Sequence, residues 1–225
     1  MHRQQYLKTF CAVCGEQCRF SHPGQAGAVG SRDLDTRPSD PLRSTIYAWV
    51  QRCPACGYAA PDVGKRVPGA AETVRLPRYR EQLGNRTFPD LANTFLCWSL
   101  IQEDAGKRGR AAWACIHAAW VCDDQENDVA ARLCRKRAAA LMKQARREGD
   151  LLATQDGGDD AILVDLLRRA GKLRDARTTA EEALTRHPEP LIADILGYQK
   201  RLIERADRGC HSIDEVRRLR GLSPR

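Results

Sequence analysis

Near Ala70 the apolar residues of this chain change their rhythm. Beyond that point they recur every three or four positions, the period of helices with one buried face. Leu91, Phe95, Trp98 and Ile101 mark such a face over Asp90–Glu103. Trp113, Ile116 and Trp120 do so over Arg110–Cys122, and Val129, Leu133, Leu141 and Ala145 over Val129–Glu148. Glu72–Leu83 predicts a shorter helix broken at Pro77, and Pro190–Ala206 a further one. Ser212-Ile213-Asp214-Glu215 is a capping box opening a last helix to Leu219. Ahead of Ala70 the signals are those of strands and turns. Leu7–Phe10 predicts a short strand, and Ser21–Gly30 is turn-rich. Ser44–Val50, β-branched and aromatic, is the strongest strand signal in the chain.

Within the helical part, Leu163, Leu167, Gly171, Ala176, Ala180, Ala183 and Pro188 fall on the spacing of a tetratricopeptide unit starting near Gly157. Leu167 and Ala180 stand where large aromatic residues are usual, so a neighbouring helix must fill the room at Ala180. The helices before it read as a degenerate unit with Ala130 as the close-packing residue. Ala130 and Ala176 lie 46 positions apart, against about 34 for a regular array. The array is therefore irregular.

The candidate chemistry lies in the first part. Cys11-Ala-Val-Cys14-Gly15 is matched far downstream by Cys53-Pro-Ala-Cys56-Gly57. Two cysteines separated by two residues can place both thiolates on one ion, and the following glycine supplies a positive-φ corner. Doubled, the knuckles form a four-thiolate, closed, structural metal set, with zinc ahead of iron. We expect one Zn2+ on Cys11, Cys14, Cys53 and Cys56. A redox Cys-x-x-Cys normally occurs once, opening a helix after a strand, and the doubling argues against that alternative. Cys18 and His22 lie close enough to contribute a ligand, but four better-placed cysteines precede them. Residues 15–52 separate the knuckles, an insert long enough to carry structure of its own. The fold class that follows is α+β and mostly α. A small zinc-ribbon-like β module over residues 1–68 precedes an irregular tetratricopeptide-like helical array over 69–225. The module is thin in apolar residues, so the helical part is expected to stand without it.

Cys-x-Val-Cys-Gly, an Arg/Asp-rich insert containing Asp35, a Pro-Leu turn, Tyr47-Ala-Trp49-Val50 and Cys-Pro-x-Cys-Gly-Tyr-Ala together resemble an uncharacterised bacterial family, domain of unknown function 2225. The resemblance is most specific over Cys11–Ala60. It implies a split zinc ribbon followed by tetratricopeptide-like helices, with Cys11, Cys14, Cys53 and Cys56 as metal ligands and Asp35 at the family's acidic insert position. The family has no agreed activity.

Composition narrows the function by exclusion. The 225 residues hold ten cysteines, no apolar run of membrane-spanning length, and a start without the apolar core of a signal peptide. A cytoplasmic chain with reduced thiols and no membrane association is the expectation. The net charge of +8 invites nucleic acid, yet residues 1–64 carry only 7 Lys and Arg against 5 Asp and Glu. Such diffuse excess leaves room for weak, sequence-indifferent binding. Phosphate loops, nucleophile elbows and paired catalytic carboxylates are not recognisable, so no enzymatic activity is expected. Cys97, Cys115, Cys122 and Cys134 read as small core residues, His117 as a helix-face residue, and Asp123-Asp124 and Asp159-Asp160 as turn and cap acids. The expected function is a zinc-binding adaptor that holds a protein or peptide in its helical groove. The alternative is a nucleic-acid-binding zinc ribbon using Arg32, Arg37, Arg43 and Arg52.

Overall fold

The computed structural model describes residues 5–24 and 26–221. Residues 1–4, part of the start read for a leader, and Gln25 of the turn-rich stretch lie outside the described residues. The chain is α+β and mostly helical, with its strands in the N-terminal part.

Each cysteine knuckle is the tip of a β-hairpin. β1 (Gln5–Phe10) pairs antiparallel with β2 (Gln17–His22), in a register that sets Lys8 opposite Arg19 and Phe10 opposite Gln17. β3 (Gln51–Arg52) pairs with β4 (Ala59–Ala60), and the two hairpins form separate two-stranded sheets. Ser21 and His22, expected in a turn, thus close β2. Its alternation is short and weak in sequence, with only Cys18 and Phe20 turned inward.

Ser44–Val50 is not the expected strand. Arg43–Ala48 winds into a 3-10 helix, with the Thr45 hydroxyl donating to the Leu42 carbonyl at 2.7 Å and the Trp49 indole to that hydroxyl at 2.8 Å. β-branched and aromatic residues favour strands because they fit a paired, pleated surface. Here, among the described residues, no strand pairs with the segment. The segment packs on helices, where Ile46 and Val50, four residues apart, both turn into the core.

The helices form where the periodicity places them, but Val129 and Leu133, expected on the buried face over 129–148, are exposed, and Ala130, Cys134 and Ala138 share that face with Leu141 and Ala145 instead. The interruption at Pro77 separates α1 (Ala70–Thr73) from α2 (Pro77–Leu83). Then come α3 (Asp90–Asp104), α4 (Arg108–Asp124) and α5 (Asp128–Arg147), each packed on its neighbour in the chain. α6 (Gly158–Arg169) and α7 (Leu173–Thr185) meet across Ala176, Ala180 and Ala183, all fully buried. α8 (Pro190–Glu204) lies against both, which supplies the neighbour that Ala180 requires. α9 (Ile213–Leu219) opens with both halves of the Ser212–Glu215 capping box in place.

Two apolar clusters run through the boundary expected near residue 68. Leu34, Ile46 and Val50 of the insert are buried together with Phe95, Ile116, Leu163 and Leu196, and Trp49 packs against them. The Trp49 ring meets Trp120 edge-on at 6.4 Å. Tyr58, Ala59 and Val63 share the second cluster with Val74, Tyr79, Leu100 and Ile101 of the first helices.

Between the hairpins, Asp33–Arg37 turns back on itself with Thr36 at a positive φ of 68°. The turn carries Asp35 into the helical layer, where it is 1% exposed. One Asp35 carboxylate oxygen accepts from the Trp120 indole at 2.8 Å and from Arg169 at 3.1 Å. Arg169 also reaches Asp123, which pairs with Arg135, while buried Arg37 pairs with Asp124. The backbone N–H of Leu34 donates to the carbonyl of His211, and that of Ile213 to the carbonyl of Arg32. The insert therefore joins α4, α6 and the segment ahead of α9.

Removing one partner of a buried ionic group leaves the others uncompensated and typically costs about 3–5 kcal/mol. Asp35→Ala should lower stability by that amount in urea unfolding. Asp35→Ala that unfolds with the wild-type midpoint would mean that the network is idle. The shared clusters also revise the expected independence of the helices. A fragment starting at Ala70 should lose the cooperative unfolding transition of the full chain, because Leu34, Ile46 and Val50 fill its core; a fragment that keeps a sharp transition would refute this.

Candidate metal centre

The two hairpin tips are built alike. In the first, the Cys11 N–H donates to the Glu16 carbonyl and the Gly15 N–H to the Cys11 carbonyl, both at 2.8 Å. In the second, the Cys53 N–H donates to the Tyr58 carbonyl at 2.8 Å and the Gly57 N–H to the Cys53 carbonyl at 3.0 Å. Gly15 and Gly57 have φ of +78° and +80°, the corner for which glycine was expected. At Gly57 the constraint is also spatial. A Cβ there would come within 2.5 Å of a Leu83 methyl on α2.

Helix α2 braces the second tip directly. The Tyr79 hydroxyl donates to the Gly57 carbonyl at 2.8 Å and Arg80 to the Cys56 carbonyl at 3.1 Å. The first tip is held by the Ala12 N–H on the Val63 carbonyl at 2.9 Å. No local motif announces Tyr79 or Arg80, because their roles depend on how α2 docks.

These braces bring the four sulfurs of Cys11, Cys14, Cys53 and Cys56 within 4.8 Å of one another. Across the hairpins, Cys11 and Cys56 are 3.6 Å apart, as are Cys14 and Cys53. That is too long for a disulfide, whose sulfurs lie about 2.05 Å apart. It matches the edge of a tetrahedron of sulfurs about 2.3 Å from a central ion, roughly 3.8 Å. The donor set therefore fits a metal ion. It is the one such group found among the described residues.

The electrostatics point the same way. Burial alone would raise Cys53, but the backbone N–H groups of Cys56 and Ala55 and the adjacent thiols outweigh it and bring it to about 7. Burial raises Cys11 and Cys56. Without a cation, the quartet holds its negative charge poorly.

Cys18 is buried beside the quartet, its thiol donating to the Glu16 carbonyl at 3.5 Å. Burial pushes it up to about 12, and neither it nor exposed His22 joins the ligand group. Cys97, Cys115, Cys122 and Cys134 are buried in the helical layer as small apolar residues. His117 is more than a helix-face residue. The rings of Trp49, Phe95, Trp113 and Trp120 surround it at 4.9–5.9 Å, and burial lowers it to about 4.

Of the arginines considered for phosphate contacts, Arg37 and Arg43 are both paired with Asp124, and Arg52 with Asp90 at 2.7 Å. Arg32 is exposed. Asp123 and Asp124 accordingly do more than shape a turn. A cleft of about 680 Å³ opens beside Asp123, lined by Glu126, Asp128, Arg132, Arg135, Arg169 and Arg208. Its signal in sequence is absent, since Asp123, Arg169 and Arg208 are far apart along the chain.

Comparison with known proteins finds no matching family model, no matching curated protein and no matching solved structure. The geometry of the site is thus the main guide to its chemistry.

Replacing one ligand should empty the centre. Protein bearing Cys53→Ser is expected to lose bound metal in elemental analysis, whereas Cys18→Ser should keep the wild-type content. Full metal retention by Cys53→Ser would dismiss the four-thiolate assignment.

Proposed function

We propose that the chain is a zinc-binding adaptor, with one structural Zn2+ held by Cys11, Cys14, Cys53 and Cys56. The convergence of four sulfurs within 4.8 Å carries the metal reading. Zinc is favoured because an all-thiolate tetrahedral set suits it and requires no redox partner. Four protein ligands fill the tetrahedron, leaving no position for a reactive water. The ion's role is to cross-link the two hairpin tips and so fix both ends of the insert over the helices.

The adaptor reading rests on the cleft beside Asp123. Acidic Glu126 and Asp128 and basic Arg132 and Arg208 in one lining suit a peptide carrying charges of both signs. The alanine-lined α6–α7 pair is of tetratricopeptide type in this reading, and such helix pairs commonly present grooves to other proteins. We also place the chain with the uncharacterised bacterial family that its cysteine framework resembles. Among the described residues, no helix is long and apolar enough to cross a membrane, in keeping with a cytoplasmic adaptor.

The test is affinity capture from bacterial lysate with wild-type protein and with the double variant Arg132→Glu/Arg208→Glu, each with and without nuclease. Proteins retained after nuclease by wild type and lost by the variant are expected. Capture that disappears with nuclease, or that the variant retains, would count against the cleft.

A further inference from the structure

The β1–β2 hairpin has two unlike faces. Leu7, Thr9, Cys18 and Phe20 form one, and Cys18 and Phe20 turn it toward the metal centre. Tyr6, Lys8 and Phe10 of β1 form the other, opposite Ser21, Arg19 and Gln17 of β2. On this outer face Phe10 is 64% exposed and Tyr6 47%. Lys8 and Arg19 are exposed too.

Two features of that face call for a ligand. Lys8 and Arg19 are direct cross-strand partners, and like charges so placed destabilise a hairpin. Among the described residues neither has a carboxylate within ion-pair distance, exposed Glu16 at the hairpin tip included. The second feature is the pair of exposed rings on either side of the cations. The Arg19 guanidinium carbon already lies over the Tyr6 ring, 4.3 Å from its centre, while Phe10 is largely exposed.

We propose that the outer face of this hairpin binds single-stranded nucleic acid. Bases stack on Phe10 and on the Tyr6–Arg19 pair, and phosphates between them lie against Lys8 and Arg19. Stacking on aromatic rings is open to any base and needs unpaired strands, whereas a basic stripe alone would serve a duplex equally. An acidic peptide would satisfy the cations and leave the Phe10 ring in water. The surface is separate from the cleft beside Asp123, and it uses none of the arginines already paired with acids.

Fluorescence-polarisation titration of the full metal-loaded chain with labelled ten-residue oligo(dT) and oligo(U) tests this. The expected Kd is roughly 1–100 µM near physiological salt, the range of sequence-indifferent binding. Two phosphate contacts should give a log–log salt slope of about −1.4. Phe10→Ala should weaken binding at least about fivefold, the loss of one stacked base, while Phe10→Trp should retain it. Lys8→Glu/Arg19→Glu should abolish it, and Arg132→Glu/Arg208→Glu should leave it unchanged. Lys8, Phe10, Arg19 and Arg208 are exposed and Arg132 is half-buried, so metal content and circular dichroism should stay at wild-type values. The proposal fails if single strands do not bind or Phe10→Ala binds as tightly as wild type. It also fails if duplex DNA or poly-glutamate competes as well as oligo(dT).

Discussion

Four thiol groups in mutual contact are a costly arrangement unless a cation sits among them. As neutral thiols they are only weak donors to one another; as thiolates a few ångströms apart they repel strongly in a partly desolvated site. The hairpin tips nevertheless bring Cys11, Cys14, Cys53 and Cys56 together with matching backbone geometry on both sides. Tyr79 and Arg80 of α2 hold the second tip in place, and the Val63 carbonyl holds the first. Such convergence makes physical sense around a metal ion, and most of the N-terminal architecture follows from it.

With both ends fixed at the centre, the insert becomes a closed loop, and closing a long loop carries an entropic cost that grows slowly with its length. The loop is ordered by burial in the helical layer. Leu34, Ile46 and Val50 enter the main core, and Asp35 collects the Trp120 indole and the Arg169 guanidinium. The backbone of Arg32–Leu34 meets His211–Ile213, so early and late parts of the chain support each other. Metal centre and helices thus depend on shared contacts, and the hairpin faces outward from that common body.

Much of this was legible in sequence where the determinants are local. The knuckles could be read because two cysteines and a glycine at fixed spacing specify a turn and a ligand pair. The helices from Asp90 onward could be read because their apolar period is sustained over many turns, and the Ser212–Glu215 cap because its atoms lie within one turn. Ser44–Val50 was misread because its residues favour a paired sheet, and the choice fell to tertiary packing that supplied no partner strand. Asp35 gave no hint of its burial, since its partners at Trp120 and Arg169 are distant in the chain. The thin apolar content of residues 1–68 suggested a separable module. What it concealed is that those few residues are shared with the helices.

The central claim is that the two hairpin tips share one zinc ion through sulfur alone. X-ray absorption at the metal edge of protein purified without added metal examines it directly. The account predicts a zinc edge with four sulfur neighbours at about 2.3 Å and no nitrogen or oxygen in the first shell. A different metal, or a zinc shell containing light atoms, would contradict it.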